Sequence, residues 1–172
     1  VMAVLDPIKL IITNYEDSKT EELLSENGPT ESMGKRNLTF GKELWIERED
    51  FMEVPAKKWF RLAPGSMVRL KSAYIVKCES FTKDESGNIL EVHCTYIPES
   101  KSGSDSSGIN VKGTIHWVSA ANAAFAEVRL YDRLFTNENP LAVEGDFKDT
   151  INPNSLQIIA KAVIEPSLKQ AN

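Results

Sequence analysis

The sequence predicts a mainly β protein built from antiparallel strands. The prediction depends on short segments in which apolar and polar residues alternate, on turn-forming residues between them, and on the scarcity of helical periods. Such a pattern is typical of β-barrels and β-sandwiches. The chain has 172 residues, 41% of them hydrophobic, which is enough for one large or two small domains.

The first third of the chain predicts two strands, a loop and a helix. Residues 1–15 are rich in β-branched side chains and contain a proline, which favours an edge strand over a helix. Residues 17–31 are polar and include Asn-Gly-Pro, so we expect a long surface loop. Residues 38–47 predict a second strand. Residues 49–62 predict a short helix that Pro55 would begin or interrupt.

Residues 67–80 form the clearest predicted strand, because apolar and charged side chains fall on opposite sides of it. We expect one face to be buried and the other to be mostly cationic. The predicted buried side comprises Val68, Leu70, Tyr74, Val76 and Cys78, and the predicted exposed side comprises Arg69, Lys71, Lys77 and Glu79.

A hairpin is predicted to follow this strand. Residues 84–88, Asp-Glu-Ser-Gly-Asn, have the composition of a tight turn, and residues 89–96 alternate again as a returning strand. A hairpin centred on Ser86 sets Cys78 opposite Cys94. A disulfide could join them, but two reduced thiols in the core are the preferred interpretation for a cytosolic chain.

The second half of the chain predicts further strands and two long loops. Residues 98–110 are rich in Ser and Gly and predict a flexible loop, and residues 136–153 predict another. Loops of this length often carry function. Residues 119–125 are Ala-rich and predict either a short helix or a crossing segment. The remaining predicted strands are residues 111–118, 127–135 and 156–164.

Composition argues against several classes of protein. No apolar run approaches the roughly 20 residues of a membrane helix, and nothing resembles a signal peptide, so we expect a cytoplasmic protein without a membrane partner. Two cysteines do not make a disulfide framework. The two His and two Cys share no metal-ligand spacing, so no zinc site is expected. The chain begins inside an apolar run without an initiator Met, and we expect it to be an excerpt of a longer protein.

Residues 54–77 are basic within an acidic chain. They hold six Lys or Arg and no Asp or Glu, whereas the whole chain has a net charge of -5, so the other residues sum to -11. Trp59, Phe60 and Tyr74 are interleaved with these cations. Cations neutralise phosphates and aromatic planes accept unstacked bases, so the stretch predicts an RNA-binding surface. The alternative is a solvated face with core aromatics behind it.

No catalytic constellation is present in the sequence. It lacks a Gly-x-x-x-x-Gly-Lys loop, a Gly-x-Ser-x-Gly elbow and a His-Glu-x-x-His helix. His116 could be a general base, but a structural hydrogen bond is the preferred interpretation because no partner lies at a meaningful spacing. Asp132 and Arg133 predict a structural ion pair or turn lock. The acidic residues 47–50 predict a solvated face or a helix N-terminus.

Nine fragments in order resemble the C-terminal anticodon-binding region of glutaminyl-tRNA synthetases. They begin with A-V-L-D-P-I-K-L-I-I-T-N-Y, M-G-K-R, E-L-W-I-E-R-E-D-F and W-F-R-L-A-P-G-S-M-V-R-L-K-S-A-Y-I-V-K. They continue with G-N-I-L-E-V-H-C-T-Y, V-K-G-T-I-H-W-V-S-A, V-R-L-Y-D-R-L-F, I-N-P-N-S-L-Q-I-I and E-P-S-L-K. The K-G-T-I-H-W and Y-D-R-L-F fragments are the most specific, and the resemblance runs from residue 3 to residue 169.

This resemblance implies part of a class I aminoacyl-tRNA synthetase, a ligase that joins glutamine to its tRNA using ATP and magnesium. The catalytic domain would precede this chain, which itself would carry no catalytic site, cofactor or metal. The family fold implies two antiparallel β-barrels of the ribosomal L25 type with few short helices, the distal barrel inserted in the proximal one. The predicted division is residues 1–55 and 120–172 for the proximal barrel and residues 56–119 for the distal barrel. A monomer is expected.

The resemblance also implies which residues contact the anticodon loop. Arg61 matches a family arginine at the third anticodon base, and Arg69 matches one near the first. The family pattern Lys-Gln-Tyr-Lys-Arg stands here as Lys-Lys-Trp-Phe-Arg, with a lysine in place of glutamine and a phenylalanine in place of lysine. Trp59 and Phe60 are left open between stacking platform and core. The predicted RNA-binding residues are Lys57, Lys58, Phe60, Arg61, Arg69 and Lys71.

Three alternatives remain at this stage. The same region of an archaeal- or eukaryotic-type glutamyl-tRNA synthetase shares the architecture. A free-standing L25-like RNA-binding protein would have the same fold without a catalytic domain. A β-barrel protein-interaction module would not bind RNA at all.

Overall fold

The computed structural model of the protein describes residues 1–142 and 144–170, and this part of the chain is mainly β, as predicted. Its helices are of 3-10 type and three to five residues long. The strands are β1 (Ala3–Val4), β2 (Pro7–Ile12), β3 (Thr20–Glu26), β4 (Lys35–Gly41), β5 (Glu43–Glu47), β6 (Met67–Leu70), β7 (Ile75–Lys83), β8 (Ile89–Tyr96), β9 (Thr114–Ile115), β10 (Val118–Ser119), β11 (Ala124–Tyr131) and β12 (Leu156–Ile164). The 3-10 helices are Glu31–Met33, Arg48–Asp50, Pro98–Ser100, Pro140–Ala142, Phe147–Thr150 and Pro166–Gln170.

The largest sheet has seven strands in the order β10-β5-β2-β8-β7-β6-β9. Its two edge strands, β9 and β10, are separated in the chain only by His116 and Trp117. A residue spans at most about 3.6 Å, so the two edges must lie close together. The sheet is therefore curled as a half-barrel, and its concave face encloses the core.

The pairing in this sheet is mostly antiparallel, as expected, with two parallel pairs. β2 runs parallel to β8, and β6 runs parallel to β9. The sheet takes strands from both sides of the predicted domain boundary at 55/56, and all of its strands lie before the predicted boundary at 119/120. The division into two barrels stays a prediction.

Two smaller sheets complete the structure. β3 and β4 form an antiparallel hairpin, and β1, β12 and β11 form a three-stranded sheet in that order. The carboxylate of Glu165, just after β12, accepts hydrogen bonds from Arg36 on β4 at 2.7 and 2.9 Å. This ion pair is buried and connects the two smaller sheets.

The core is filled by alternate residues of the strands and by a cluster of rings. In β2, Ile8, Leu10 and Ile12 are buried, as period-2 alternation requires. The Phe40 ring lies 5.2 Å from the ring of Tyr74 and 5.5 Å from that of Trp117, measured between centroids. Aromatic pairs of this kind contribute about 0.5–1.5 kcal/mol beyond the area they bury.

The predicted surface loop over residues 17–31 is wrong. β3 lies within it and pairs with β4 from Thr20 opposite Gly41 to Glu26 opposite Lys35. Polar composition misled the prediction because the hydrogen bonds of β3 come from a partner strand that follows it in the chain. The strand buries Leu23 on one face.

The predicted helix over residues 49–62 is also wrong beyond its first turn. Only Arg48–Asp50 is helical, and the chain then doubles back on itself. The Leu62 N–H donates to the Asp50 carbonyl and the Met52 N–H donates to the Leu62 carbonyl. Hydrogen bonds between the ends of the segment replace the bonds that a helix would form.

Several predicted single strands are two strands in the structure. Residues 67–80 turn sharply at Ser72, whose φ is +60°, between β6 and β7. Residues 38–47 fall on β4 and β5, and residues 111–118 on β9 and β10. Alternation persists through such tight turns, so it cannot distinguish them from a continuous strand. The five side chains predicted to be buried between 67 and 80 are all buried: Val68, Leu70, Tyr74, Val76 and Cys78.

The predicted hairpin is confirmed. β8 is residues 89–96 as predicted, and Cys78 lies directly opposite Cys94. Both thiols are free and buried. β12 also has the predicted bounds, whereas β11 begins at residue 124 and ends at 131. Residues 119–125 are a crossing segment with a turn, not a helix.

Candidate nucleic-acid interface

The basic stretch begins in an irregular segment, residues 56–62, that is tied to the 3-10 helix before it. The Leu62 N–H donates to the Asp50 carbonyl at 2.9 Å, and the Met52 N–H donates to the Leu62 carbonyl at 3.0 Å. The indole N–H of Trp59 donates to the same Leu62 carbonyl at 2.9 Å. These bonds meet at Leu62 and anchor the end of the segment that carries Trp59 and Arg61.

A groove of about 350 Å³ opens beside this loop. Residues 59–61 form one wall, residues 110–113 form the other, and Met67 at the start of β6 also lines it. A Cβ atom on Gly113 would lie 1.7 Å from the Phe60 carbonyl oxygen, so only glycine allows the two walls to approach this closely. Phe60 is 49% exposed.

Cations accompany both aromatic rings of the groove. The Lys112 ammonium nitrogen lies 5.1 Å from the centroid of the Phe60 ring. The Arg61 guanidinium carbon lies 6.0 Å from the centroid of the Trp59 ring. Aromatic faces flanked by cations can stack unpaired bases while the charges neutralise the adjoining phosphates. Trp59, whose role the sequence left open, is half-buried with its ring bordering the groove.

Arg61 is held from behind by the 3-10 helix Arg48–Asp50. Its Nη1 lies 3.2 Å from Oδ1 of Asp50, and it donates to the Glu49 carbonyl at 3.3 Å. Asp50 is buried, and burial raises the pKa of its carboxyl to about 6 despite the opposing attraction of Arg61. Nearly half of the Arg61 side chain remains exposed.

Arg69 does not occupy the exposed position that strand alternation predicts. Its Nη1 donates to the Ser100 carbonyl at 2.7 Å, and its Nη2 forms an ion pair with Asp105. Hydrogen bonds from Ser107, followed by the contact with Arg69, hold the pKa of Asp105 below its ordinary range. The guanidinium thus joins β6 to the loop after β8. Its contact with RNA stays a prediction.

The predicted lysines lie in two places. Lys57 and Lys58 are exposed on the 56–62 loop, where Lys58 has a φ of +63°. Lys71 lies in the turn between β6 and β7 and borders a different groove of about 610 Å³, together with Lys35 and Arg36. The two grooves share no lining residue. The structure therefore brings Phe60 and Arg61 together and separates Lys71 from them.

Comparison with known proteins agrees with an RNA-reading surface. Residues 1–97 match the family model described as "tRNA synthetases class I (E and Q), anti-codon binding domain", and residues 114–172 match a second model of the same description. The chain belongs to this anticodon-binding family. The resemblance found in the sequence is confirmed. All six predicted RNA-binding residues lie within the first matched range.

The relatives of this anticodon-binding domain include proteins named glutamine–tRNA ligase. The one from Clostridium perfringens is 55% identical over 171 residues, which are 99% of this chain and 31% of the relative. Those from Cupriavidus necator and Rhodopirellula baltica are 51% and 53% identical over 172 and 173 residues, in each case 99% of this chain and 29% of the relative. The chain thus spans about 30% of the length of the relatives it matches.

Sequence reasoning missed three residues of the interface. Lys112 reaches the Phe60 ring because β6 runs parallel to β9, which brings the chain before β9 alongside the loop before β6. Asp50 and Asp105 were missed because neither is close in sequence to its arginine. The only local cue was Lys-Gly at 112–113, a cation beside a residue that permits close backbone approach.

Other side chains singled out by the sequence have structural or no evident roles. Of the two interpretations of residues 47–50, the helix N-terminus is confirmed, because Glu47 precedes the 3-10 helix Arg48–Asp50. The solvated face is not, because Asp50 is buried and Glu47 accepts hydrogen bonds from the backbone of residues 5 and 6. Within the described ranges the exposed His116 ring forms no hydrogen bond, contrary to its predicted structural one. Asp132 accepts a hydrogen bond from the backbone N–H of Arg133 at 2.7 Å, and its Oδ1 lies 3.9 Å from Nε of the same arginine. The ion pair or turn lock stays a prediction.

The described residues contain no group of three or more His, Cys, Asp or Glu side chains that could hold a metal ion. No helix in those residues is long and apolar enough to span a membrane.

Proposed function

We propose that this chain binds the anticodon loop of glutamine tRNA as part of a glutamine–tRNA ligase. The observation that carries the proposal is the groove in which the Phe60 and Trp59 rings and the Arg61 and Lys112 cations lie together in an anticodon-binding domain. Splayed single-stranded bases are bound by such combinations of rings and guanidinium groups. Glutamine, not glutamate, is proposed because the relatives above are named for glutamine.

The enzyme activity belongs to the longer protein in this proposal. A catalytic domain outside this chain would attach glutamine to the tRNA using ATP and magnesium, in the cytoplasm and as a monomer. This chain contributes recognition of the tRNA and no reacting group. Lys57 and Lys58 contact phosphates beside the groove, and Lys71 contributes long-range attraction from its own groove.

Binding of this chain to an RNA hairpin with the anticodon stem and loop of glutamine tRNA tests the proposal. We expect each of four cations around the groove to contact one phosphate: Lys57, Lys58, Arg61 and Lys112. At about −0.7 per phosphate contact, the logarithm of the affinity should fall with the logarithm of the salt concentration with a slope of about −3. We expect Arg61→Ala to weaken binding about tenfold.

The control is Lys148→Ala, which removes one exposed positive charge from the 3-10 helix Phe147–Thr150, outside both grooves. It should change the affinity less than twofold. Affinity that is independent of salt, or equal losses for Arg61→Ala and Lys148→Ala, would contradict an RNA-binding role for the groove.

A further inference from the structure

We propose that Asp50 is a positioning residue for Arg61: its buried carboxylate holds one nitrogen of the guanidinium and leaves the other edge of the group turned toward RNA. The inference rests on the proposed function, since it explains how the groove prepares its arginine before RNA arrives. Asp50 itself touches no RNA in this scheme.

The backbones of the two residues are fixed relative to each other. The Leu62 N–H, immediately after Arg61, donates to the Asp50 carbonyl at 2.9 Å. A parallel bridge pairs Phe51 with Leu62 beside this bond. The side chains of Asp50 and Arg61 therefore start from anchored positions, and the distance of 3.2 Å between Oδ1 and Nη1 is built into the fold.

The polar contacts of the guanidinium converge on a single nitrogen. Nη1 meets the Asp50 carboxylate, the Glu49 carbonyl at 3.3 Å and the Glu49 carboxylate at 3.7 Å. Within the described residues, Nε and Nη2 of Arg61 have no hydrogen-bond partner. These two nitrogens form the side of the guanidinium that binds a pair of acceptors in parallel, such as two phosphate oxygens or the O6 and N7 atoms of a guanine.

Burial distinguishes Asp50 from the neighbouring carboxylate. Only 10% of the Asp50 side chain is exposed, compared with 80% for Glu49. A buried carboxylate keeps its charge only near a cation, and the adjacent Arg48 is engaged elsewhere, with Asp6 at 3.0 Å and the Ile89 carbonyl at 2.8 Å. Arg61 is thus the cation that pairs with Asp50, and this pairing restricts the rotamers of an otherwise mobile side chain.

The test compares Asp50→Asn with Glu49→Gln in binding to the same glutamine anticodon hairpin. Each substitution removes one carboxylate that faces Nη1, but only the first removes the buried one. We expect Asp50→Asn to weaken binding about fivefold and Glu49→Gln to change it less than twofold. Circular dichroism and thermal unfolding would verify that each variant is folded.

A double-mutant cycle separates positioning from a general structural role. In the Arg61→Ala background, Asp50→Asn should cause no further loss of affinity, because there is no guanidinium left to orient. Asp50→Asn should also reduce the preference for the hairpin over one with a changed third anticodon base, the base that family resemblance assigns to Arg61. A structural defect would weaken both RNAs alike.

The outcomes distinguish this inference from the proposed function. If the unaltered chain shows no salt-dependent binding to the hairpin, the proposed function fails. If the chain binds and Arg61→Ala weakens binding, but Asp50→Asn binds normally or its effect adds fully to that of Arg61→Ala, only the role of Asp50 is overturned.

Discussion

Replacing Asp50 by Asn should make the protein more stable at neutral pH while weakening its proposed binding to RNA. Burial raises the pKa of the Asp50 carboxyl to about 6, compared with about 3.9 for an unperturbed aspartate. Two pKa units correspond to about 3 kcal/mol, which is the upper limit of what ionising this carboxyl costs the folded state. We expect a gain of about 1–3 kcal/mol in the free energy of unfolding at pH 7.

The pH dependence of stability shows why Asp50→Asn should be more stable than the original chain at neutral pH. Because the pKa of Asp50 is higher in the folded than in the unfolded state, the folded protein binds more protons between about pH 4 and pH 6. The contribution of Asp50 is therefore most favourable below pH 4 and is lost as the pH rises through 6. Asp50→Asn removes this loss, so its advantage should be full at pH 7 and should disappear near pH 4.

Urea unfolding at intervals between pH 4 and pH 8 gives the free energy of unfolding of the original chain and of Asp50→Asn. The difference between the two free energies reports on Asp50, because the contributions of the other titrating groups cancel. Asp84→Asn serves as a matched control of opposite sign, since hydrogen bonds from Asn88 and the 86–88 backbone hold the pKa of Asp84 below its ordinary range. That variant should lose stability at pH 7. If Asp50→Asn is less stable than the original at pH 7, or its advantage persists at pH 4, the reasoning about its buried charge is refuted.

Two further predictions concern the walls of the groove and the arginine beside it. Gly113→Ala should destabilise the protein by about 2 kcal/mol or more and weaken RNA binding, because its Cβ would meet the Phe60 carbonyl oxygen at 1.7 Å. Gly87→Ala, at a position with open space and a φ of +86°, is the control for backbone strain. Equal losses of stability in the two variants would count against a steric clash at Gly113. Arg69→Ala should lower both thermal stability and RNA affinity, because it removes the hydrogen bonds to Ser100 and Asp105 as well as a cation. Asp105→Asn should release the guanidinium of Arg69 and raise the affinity for RNA at low salt. If titration of the anticodon hairpin shows unchanged affinity in both variants, Arg69 has a structural role alone.

The fold could be predicted in part because side-chain alternation is a local property. Apolar residues recur at alternate positions from Leu90 to Tyr96, and residues 89–96 form a strand with the predicted bounds. Residues 156–164 also form a strand with the predicted bounds, although Ala162, Val163 and Ile164 are buried in succession. The turn at 84–88 predicted the hairpin, and Cys78 lies opposite Cys94 as expected, although the register shifts by one residue between Thr82 and Lys83 and back between Cys78 and Ser80. Prediction failed for β3, because a polar strand is stabilised by its partner and carries little pattern of its own.

The sequence predicted which stretch of the chain carries the candidate site, but not how the side chains of the site are arranged in space. The cations and rings of residues 54–77 are visible in the sequence, and the order of the motifs identifies the family. Which arginine faces the groove is not visible there: Arg61 remains half-exposed, whereas Arg69, predicted to be exposed, is held by Asp105 across 36 positions of the chain.

The sequence by itself determined that the chain is mainly β, that a cationic stretch lies within an acidic chain, and that the family binds anticodons. The tertiary structure alone decided that Lys112 lies over Phe60 and that a buried Asp50 holds Arg61. The physical reason is that side-chain alternation and local composition reflect residues that are close together in the chain. The partner of a charge and the cost of burying it depend on segments that only strand pairing brings together.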